Sequence, residues 1–374
     1  MLRDRHFPRT SAILAEDVVK RRSLGGQIYI ALRGVTIANE AFGERARGRN
    51  MRVDDLTLWL SSTKPITAVA VAQQAEQGRL RWDDPVSQLV PEFAQNGKQA
   101  ITVWQLLTHT GGFRSADKIP EELPSDETIA AICAAPLETG WIPGQKAGYH
   151  IVSSWFILAE IVRRLDGRSF DTYVREEIFL RLGMNDSWIG IPPEAYRNYG
   201  DRIAPMYSTA IGQPRPVPLW NSEKGCAICR PGSNGRGPIR ELGRFYEWLL
   251  DPQSSPVLKP EIVQQLTKRH RIGMFDQTFR HVMDWGLGFI INSNRYGRES
   301  VPYGYGRYAS ENTFGHSGAE SSCAFADPDH GLVVAWAFNG MPGERPHQKR
   351  ARTLNSAIYE DLGLIKQERE MQPT

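Results

Sequence analysis

The chain has 374 residues, of which 41% are hydrophobic and 23% are charged, and this globular balance excludes disorder as the default. The formal net charge is only +3, from 45 basic and 42 acidic residues, so no strong electric field favours a nucleic acid or an anionic membrane surface. We therefore expect one large globular core or two coupled ones, with no nucleic-acid partner and no membrane partner.

Near the start of the chain, residues 1–6 lack the apolar stretch of a signal peptide, and the longest apolar run, 332–338, is too short to span a bilayer. These features predict a cytoplasmic protein. One Cys-x-x-Cys occurs, without the further ligands that a metal site needs, and we expect structural thiols and no metal or cofactor. The four cysteines are Cys133, Cys226, Cys229 and Cys323.

Apolar periodicity places strands near both ends of the chain and helices between them. The predicted elements, in chain order, are a helix over 11–23, a hairpin of strands over 26–32 and 35–42, helices over 65–77, 153–165, 171–182 and 239–250, strands over 285–292, 321–326 and 332–339, and a helix over 347–362. The pattern predicts an α+β fold in which an antiparallel sheet from 1–60 and 275–374 is flanked by helices. A mostly helical region, 61–274, is inserted, and the cleft between the two regions is the expected site.

The tetrad Ser61-Ser62-Thr63-Lys64 is an S-x-x-K pattern placed just before a predicted helix. Residues three apart on a helix lie on the same face, so the Lys64 amine can reach the Ser61 hydroxyl. A serine hydroxyl needs such a base before it becomes a nucleophile. The free N–H groups at a helix N-terminus also favour the anionic oxygen of acyl transfer.

The pattern is not specific by itself, because a second copy runs from Ser115 to Lys118. That stretch is broken by Pro120, and we expect no helix to align its two ends. We interpret the second copy as chance.

Further segments resemble known motifs. The opening motif of class C β-lactamases and their esterase relatives resembles two segments here, Leu60 to Pro65 and Leu106 to Gly112. The family's tyrosine motif is similar to Pro143-Gly144 with Tyr149. Its third, sheet-edge motif is similar to Phe314 to Ala319. The order and spacing match across nearly the whole chain. The resemblance implies the β-lactamase and transpeptidase fold shared with penicillin-binding proteins, and the esterase branch includes the family VIII carboxylesterases.

The resemblance also implies roles by position. Ser61 is then the nucleophile, and Lys64 and Tyr149 share the general-base and general-acid work. The backbone N–H groups of Ser61 and Ala319 form the oxyanion hole. The strand His316-Ser317-Gly318 lines the substrate. A phenol near a lysine cation ionises more easily, which predicts a proton relay through Tyr149.

Two positions depart from the drug-hydrolysing relatives. Ile151 stands where those relatives have Asn, and His316 stands where they have Lys. At position 316 a permanent cation that binds a carboxylate is therefore replaced by a group that is neutral much of the time near pH 7. We therefore predict a serine hydrolase that cleaves a small-molecule carboxylic ester, or an amide, through an acyl-serine intermediate. The alternatives are an acyltransferase that uses the same acyl-enzyme, a β-lactamase or D-amino-acid peptidase, and a non-catalytic scaffold.

Several other residues are open to a functional interpretation. Ser317 lies in a near match to G-x-S-x-G, and Tyr196 begins a literal Tyr-x-Asn, but the surrounding patterns favour Ser61 and Tyr149. The Gly-rich stretch 230–237 follows no predicted strand and lacks a Gly-Lys-Ser/Thr ending, so we expect a structural loop. Packing is the expected role of His109 and Trp104.

Overall fold

A computed structural model of the chain describes residues 7–120, 123, 125–254 and 257–365. The α-helices of these residues are α1 (Pro8–Val19), α2 (Lys64–Glu76), α3 (Val86–Leu89), α4 (Val103–Leu107), α5 (Ser125–Ala134), α6 (Ser153–Asp166), α7 (Phe170–Val174), α8 (Pro193–Tyr199), α9 (Pro218–Asn221), α10 (Glu223–Ala227), α11 (Ile239–Leu250), α12 (Pro260–Thr267) and α13 (Glu344–Asp361). The expectation about a leader concerns Met1 to His6, which lie outside the described residues.

The strands are β1 (Gly25–Leu32), β2 (Val35–Ala46), β3 (Arg49–Asn50), β4 (Thr57–Leu58), β5 (Trp188–Ile189), β6 (Tyr207–Ser208), β7 (Arg215–Pro216), β8 (Gly235–Gly237), β9 (Arg271–Asp276), β10 (His281–Trp285), β11 (Ile290–Ile291), β12 (Phe314–Gly318), β13 (Ser322–Asp327), β14 (Leu332–Phe338) and β15 (Gly340–Met341). Nine of them form the main sheet, in the order β3-β2-β1-β14-β13-β12-β11-β10-β9.

Both ends of the chain meet at the centre of this antiparallel sheet, as the sequence predicts. Strand β1 pairs with β14, so that Ile28 lies opposite Trp336. Every residue of β14 is buried. Alternate side chains pack on opposite faces: Trp336 joins the cluster that includes α1 and α13, and Ala335 joins the cluster that includes α11. Helices on both faces explain why this strand is apolar throughout.

Some predicted boundaries are wrong, each for a local reason. The strand predicted over 285–292 is divided between β10 and β11, because Gly288 adopts a φ of +83° in the turn between them. The helix predicted over 171–182 is α7 followed by a π turn and a 3₁₀ turn. Helix α1 starts at Pro8, within the first helical turn where proline fits, and ends at Val19 instead of 23.

The Ser61 segment is a 3₁₀ turn, Leu60–Thr63, that continues directly into α2. Helix α2 is buried on nearly all sides and packs against α6. In the described parts of the chain, none of the helices combines the length and apolarity needed to traverse a bilayer. The division into a sheet region and a helical region stays a prediction.

Candidate active site

Ser61 and Lys64 are hydrogen-bonded at the start of α2. The Lys64 Nζ donates to Ser61 Oγ at 2.9 Å and to the Gly232 carbonyl oxygen at 2.9 Å. The lysine is fully buried, whereas Ser61 keeps 9% exposure. Leu60, just before the serine, has a φ of +47°, a left-handed conformation that is rare for a leucine. The turn therefore holds the serine hydroxyl against the amine, as the spacing predicts.

Tyr149 joins this pair. Its ring centroid lies 5.2 Å from Lys64 Nζ, and the Ser61 hydroxyl lowers the tyrosine's pKa as a hydrogen-bonding neighbour. Burial acts in the opposite direction and is the larger effect, so the pKa of Tyr149 is raised above its ordinary value. The expected easier ionisation of this phenol is therefore wrong, because removal from water is the largest effect on its pKa. The phenol is neutral at rest.

The backbone around Tyr149 is fixed by a buried carboxylate. Asp276 Oδ1 accepts hydrogen bonds from the N–H groups of Tyr149 (3.1 Å), Thr278 (2.9 Å) and Phe279 (3.0 Å). Its other oxygen pairs with Arg271 at 3.0 Å, and both side chains are fully buried. The Phe279 ring packs 4.6 Å from the Tyr149 ring. Sequence reasoning missed Asp276, whose signal is a lone acidic residue at the end of a strand.

His316 lies on the substrate strand beside Tyr149, with 6.0 Å between ring centroids. Its Nδ1 is 2.8 Å from the Ser317 carbonyl oxygen, which only accepts, so Nδ1 carries the proton and Nε2 is an acceptor. Within the described residues Nε2 has no partner. Burial, and then the charge of Lys64, lowers the histidine's pKa to about 3. At neutral pH the strand therefore presents a neutral imidazole.

The end of this strand lies against the residues that precede Ser61. A Cβ atom on Gly318 would stand 2.3 Å from the Trp59 carbonyl oxygen and 3.0 Å from the Leu60 Cβ, so the strand end touches the turn that carries the nucleophile. Ala319 follows and packs against the cluster that contains Leu60. Ser317 is buried and pairs with Cys323 across the sheet. The lysine amine is bonded to Ser61, so the geometry favours Ser61 over Ser317 as nucleophile.

The expectation that no helix forms at the second S-x-x-K copy is wrong. Residues Arg114–Lys118 form a 3₁₀ helix, although Pro120 predicted none. Ser115 and Lys118 are both exposed. Between them Asp117 accepts hydrogen bonds from Ile151 N (2.9 Å), Val152 N (2.9 Å) and Ser153 N (2.7 Å) at the start of α6. The segment therefore anchors the helix that follows Tyr149, a role that its sequence did not indicate.

The Gly-rich stretch 230–237 is closer to the site than predicted. Besides Gly232, which accepts from Lys64, the Pro231 carbonyl oxygen accepts from Thr67 Oγ1 at 2.6 Å. Its last three residues are strand β8, where Gly235 O accepts from Trp59 N at 2.9 Å. The expectation of a loop alone is wrong, because β8 pairs with β4 and β5 and supports the serine's turn.

The other open residues have packing roles. Tyr196 lies on α8, and its hydroxyl donates to the Asn221 carbonyl oxygen at 3.0 Å. His109 is fully buried, and its Nδ1 accepts from His150 N at 3.0 Å, which agrees with the predicted core role. Trp104 Nε1 donates to His270 Nδ1 at 3.2 Å. The four cysteines are free thiols, and burial raises the pKa of Cys229. The expected absence of a metal or cofactor stays a prediction.

Comparisons with known proteins identify the family. A family model described as "Beta-lactamase" matches residues 10–358. Esterase EstB of Burkholderia gladioli is 27% identical over 322 residues, which cover 75% of this chain and 78% of that protein. Penicillin-binding protein 4 of Amycolatopsis lactamdurans is 28% identical over 313 residues, which cover 80% of this chain and 77% of that protein.

Solved structures give the same picture. A family VIII carboxylesterase superposes with a TM-score of 0.78 at 26% identity, covering 95% of this chain and 97% of that chain. A penicillin-binding protein homologue from Caulobacter crescentus has a TM-score of 0.78 at 28% identity, with the same coverage of both chains. The family resemblance and the fold class predicted from the motifs are confirmed.

Proposed function

The chain belongs to the beta-lactamase family, and we propose that within it the protein is a carboxylic-ester hydrolase that works through an acyl-serine intermediate. Ser61 is the nucleophile, and Lys64 and Tyr149 handle its proton. The observation that carries this proposal is the convergence of the three groups: the amine bonded to the serine hydroxyl at 2.9 Å, and the phenol beside both.

In the acylation step, Ser61 Oγ bonds to the ester carbonyl carbon while its proton passes to the Lys64–Tyr149 pair. These groups are close enough to titrate together, so the proton belongs to the pair. The negative charge that develops on the carbonyl oxygen faces the backbone N–H groups of Ser61 and Ala319. The C–O bond then breaks, and the pair returns the proton to the leaving alcohol.

Deacylation repeats the sequence with water. The water oxygen bonds to the acyl carbon, its proton moves to the pair, and the bond to Ser61 breaks as the proton returns to Oγ. The products are a carboxylic acid and the free enzyme. Apart from the ester and water, the steps use only groups of the chain.

The state of His316 favours neutral esters over substrates that carry a carboxylate at this strand. A lysine there would offer a permanent cation, whereas this imidazole is neutral, with Nδ1–H bonded to Ser317 O. The exposed Ile151 likewise offers no polar contact where the drug-hydrolysing relatives have Asn. We therefore place the substrate among neutral small-molecule esters. The cytoplasmic location stays a prediction.

The test compares two serines that occupy the same position in the two S-x-x-K copies. Ser61→Ala should abolish hydrolysis of a short-chain p-nitrophenyl ester and should block covalent labelling by a fluorophosphonate probe. Ser115→Ala, at an exposed serine, should leave both unchanged. Full turnover by Ser61→Ala would refute the proposal, as would failure of the unaltered protein to hydrolyse any neutral ester or to accept the probe.

A further inference from the structure

Two serine hydroxyls that the proposed mechanism does not use lie between the nucleophile's turn and the substrate strand. Ser62 follows the nucleophile in the 3₁₀ turn, and Ser322 opens β13 opposite Gly318. Both are fully buried. A buried hydroxyl is unfavourable unless it is hydrogen-bonded, so the partners of these two indicate why polar residues stand there.

The two hydroxyls form a bridge. Ser322 Oγ donates to the Trp59 carbonyl oxygen at 2.5 Å. Ser62 Oγ lies 3.1 Å from the His316 carbonyl oxygen and 3.0 Å from Ser322 Oγ. Each hydroxyl has one proton. The Ser322 proton goes to Trp59 O, so the Ser62 proton is shared between the His316 carbonyl oxygen and Ser322 Oγ. The bridge therefore joins the backbone of the turn to the backbone of β12 through both side chains.

The bridge acts on strained backbone. The Trp59 carbonyl belongs to the peptide that leads into Leu60, the residue with φ +47°. Such a conformation is costly and persists only where its surroundings hold it. On the other side, the absent side chain of Gly318 lets Trp59 O and Ser322 Oγ approach, since a Cβ would lie 2.3 Å from each. The close approach of Gly318 to these two oxygen atoms therefore fixes the position of the end of β12 relative to the turn.

We propose that Ser62 and Ser322 are positioning residues that set the separation between the two oxyanion donors. The inference rests on the proposed function, in which the Ser61 N–H comes from the turn and the Ala319 N–H from the end of β12. Those two segments are the ones that the hydroxyl bridge holds together. Oxyanion donors must lie about 2.7–3.1 Å from the developing charge. A displacement of about 1 Å in a catalytic geometry can lower the rate about 10²-fold.

The experiment uses Ser62→Ala, Ser322→Ala and the double variant, with Ser321→Ala as a matched control. Ser321 is the buried neighbour of Ser322, but its hydroxyl has no partner in the described part of the chain. For a neutral p-nitrophenyl ester we expect the double variant to lose about 10- to 100-fold in kcat with KM within about twofold. The inhibition constant of an alkyl boronic acid, which mimics the tetrahedral intermediate, should weaken in parallel. The control should match the unaltered protein in all three.

The outcomes separate this inference from the proposed function. If the unaltered protein hydrolyses the ester and the folded double variant keeps its kcat and boronate affinity, the positioning role is refuted while the hydrolase proposal stands. If kcat and KM change equally, or if the single variants fail to fold, the pair supports binding or stability instead and the inference is overturned. If the unaltered protein has no esterase activity, the proposed function itself has failed and this inference is overturned with it.

Discussion

The carboxylate of Asp276 accepts a hydrogen bond from the backbone N–H of Tyr149 at 3.1 Å. This contact links the hairpin of β9 and β10 to the residue that completes the proposed catalytic group. The same carboxylate forms a buried ion pair with Arg271.

Asp276→Asn should therefore reduce stability and activity together. The substitution leaves the Arg271 guanidinium buried without its counter-charge, and breaking such a pair costs about 3–5 kcal/mol. We expect that order of loss in the free energy of unfolding in urea. Asp329→Asn, at an exposed aspartate, should change stability by less than about 0.5 kcal/mol. An Asp276→Asn variant as stable as the control would show that the pair has no structural role.

Tyr149→Phe removes only the phenol oxygen from the Ser61–Lys64 site. We expect kcat/KM for ester hydrolysis to fall by about 10²–10⁴-fold, the usual contribution of a positioned proton donor or acceptor. Stability should change little, since the ring remains packed against Phe279. Tyr196→Phe is the matched control, because the Tyr196 hydroxyl donates to the backbone carbonyl of Asn221. This variant should leave the rate unchanged. Equal rates for the two variants would remove Tyr149 from the mechanism.

His316 should make the folded protein less stable as the pH falls. Its folded pKa, about 3, is below the ordinary value of 6.5, so between these two values the unfolded chain binds a proton that the folded chain does not. The contribution of His316 to the free energy of unfolding is fully present above pH 6.5 and decreases towards pH 3. For one such histidine, the loss between pH 7 and pH 5 is about 2 kcal/mol.

The corresponding test is His316→Asn, which keeps a donor for the Ser317 carbonyl but does not titrate. Urea unfolding at pH 7 and pH 5 should give a difference that is smaller than that of the unaltered protein by about 2 kcal/mol. Identical pH dependence in the two proteins would show that folding does not lower the pKa of His316.

Gly318→Ala should disrupt the site through sterics alone. The added Cβ would lie 2.3 Å from the Trp59 carbonyl oxygen, which belongs to backbone and cannot rotate away. Either the turn or β12 must shift, and we expect kcat to fall at least about 10²-fold. Thermal unfolding and ester kinetics measure the two effects. Unaltered kinetics would show that the strand can move without affecting the reaction.

Much of the fold was predictable from the sequence because its signals are local. The runs of strand-forming residues in β1, β13 and β14 identify the sheet, and the S-x-x-K spacing identifies the Ser61–Lys64 pair. The resemblance to known motifs then supplied Tyr149 and the substrate strand, which spacing alone did not. Strands such as β5 and β9 were missed, because pairing partners far along the chain decide whether a few residues become a strand.

The site's supporting residues were less predictable for the same reason. Asp276 and Gly232 act through single contacts with Tyr149 and Lys64, which lie more than a hundred residues away in the chain. The raised pKa of Tyr149 depends on burial, and a sequence shows charges more readily than it shows the exclusion of water.

The pairing of β1 with β14 has a consequence for synthesis. The ribosome delivers Ser61 early, but the central seam of the sheet closes only after residues 332–338 have left the exit tunnel. Contacts between such distant segments form late, since a long loop must be closed first. The proposed oxyanion site should consequently stay incomplete in the nascent polypeptide, so that the proposed ester hydrolysis begins only after residues 332–338 have emerged.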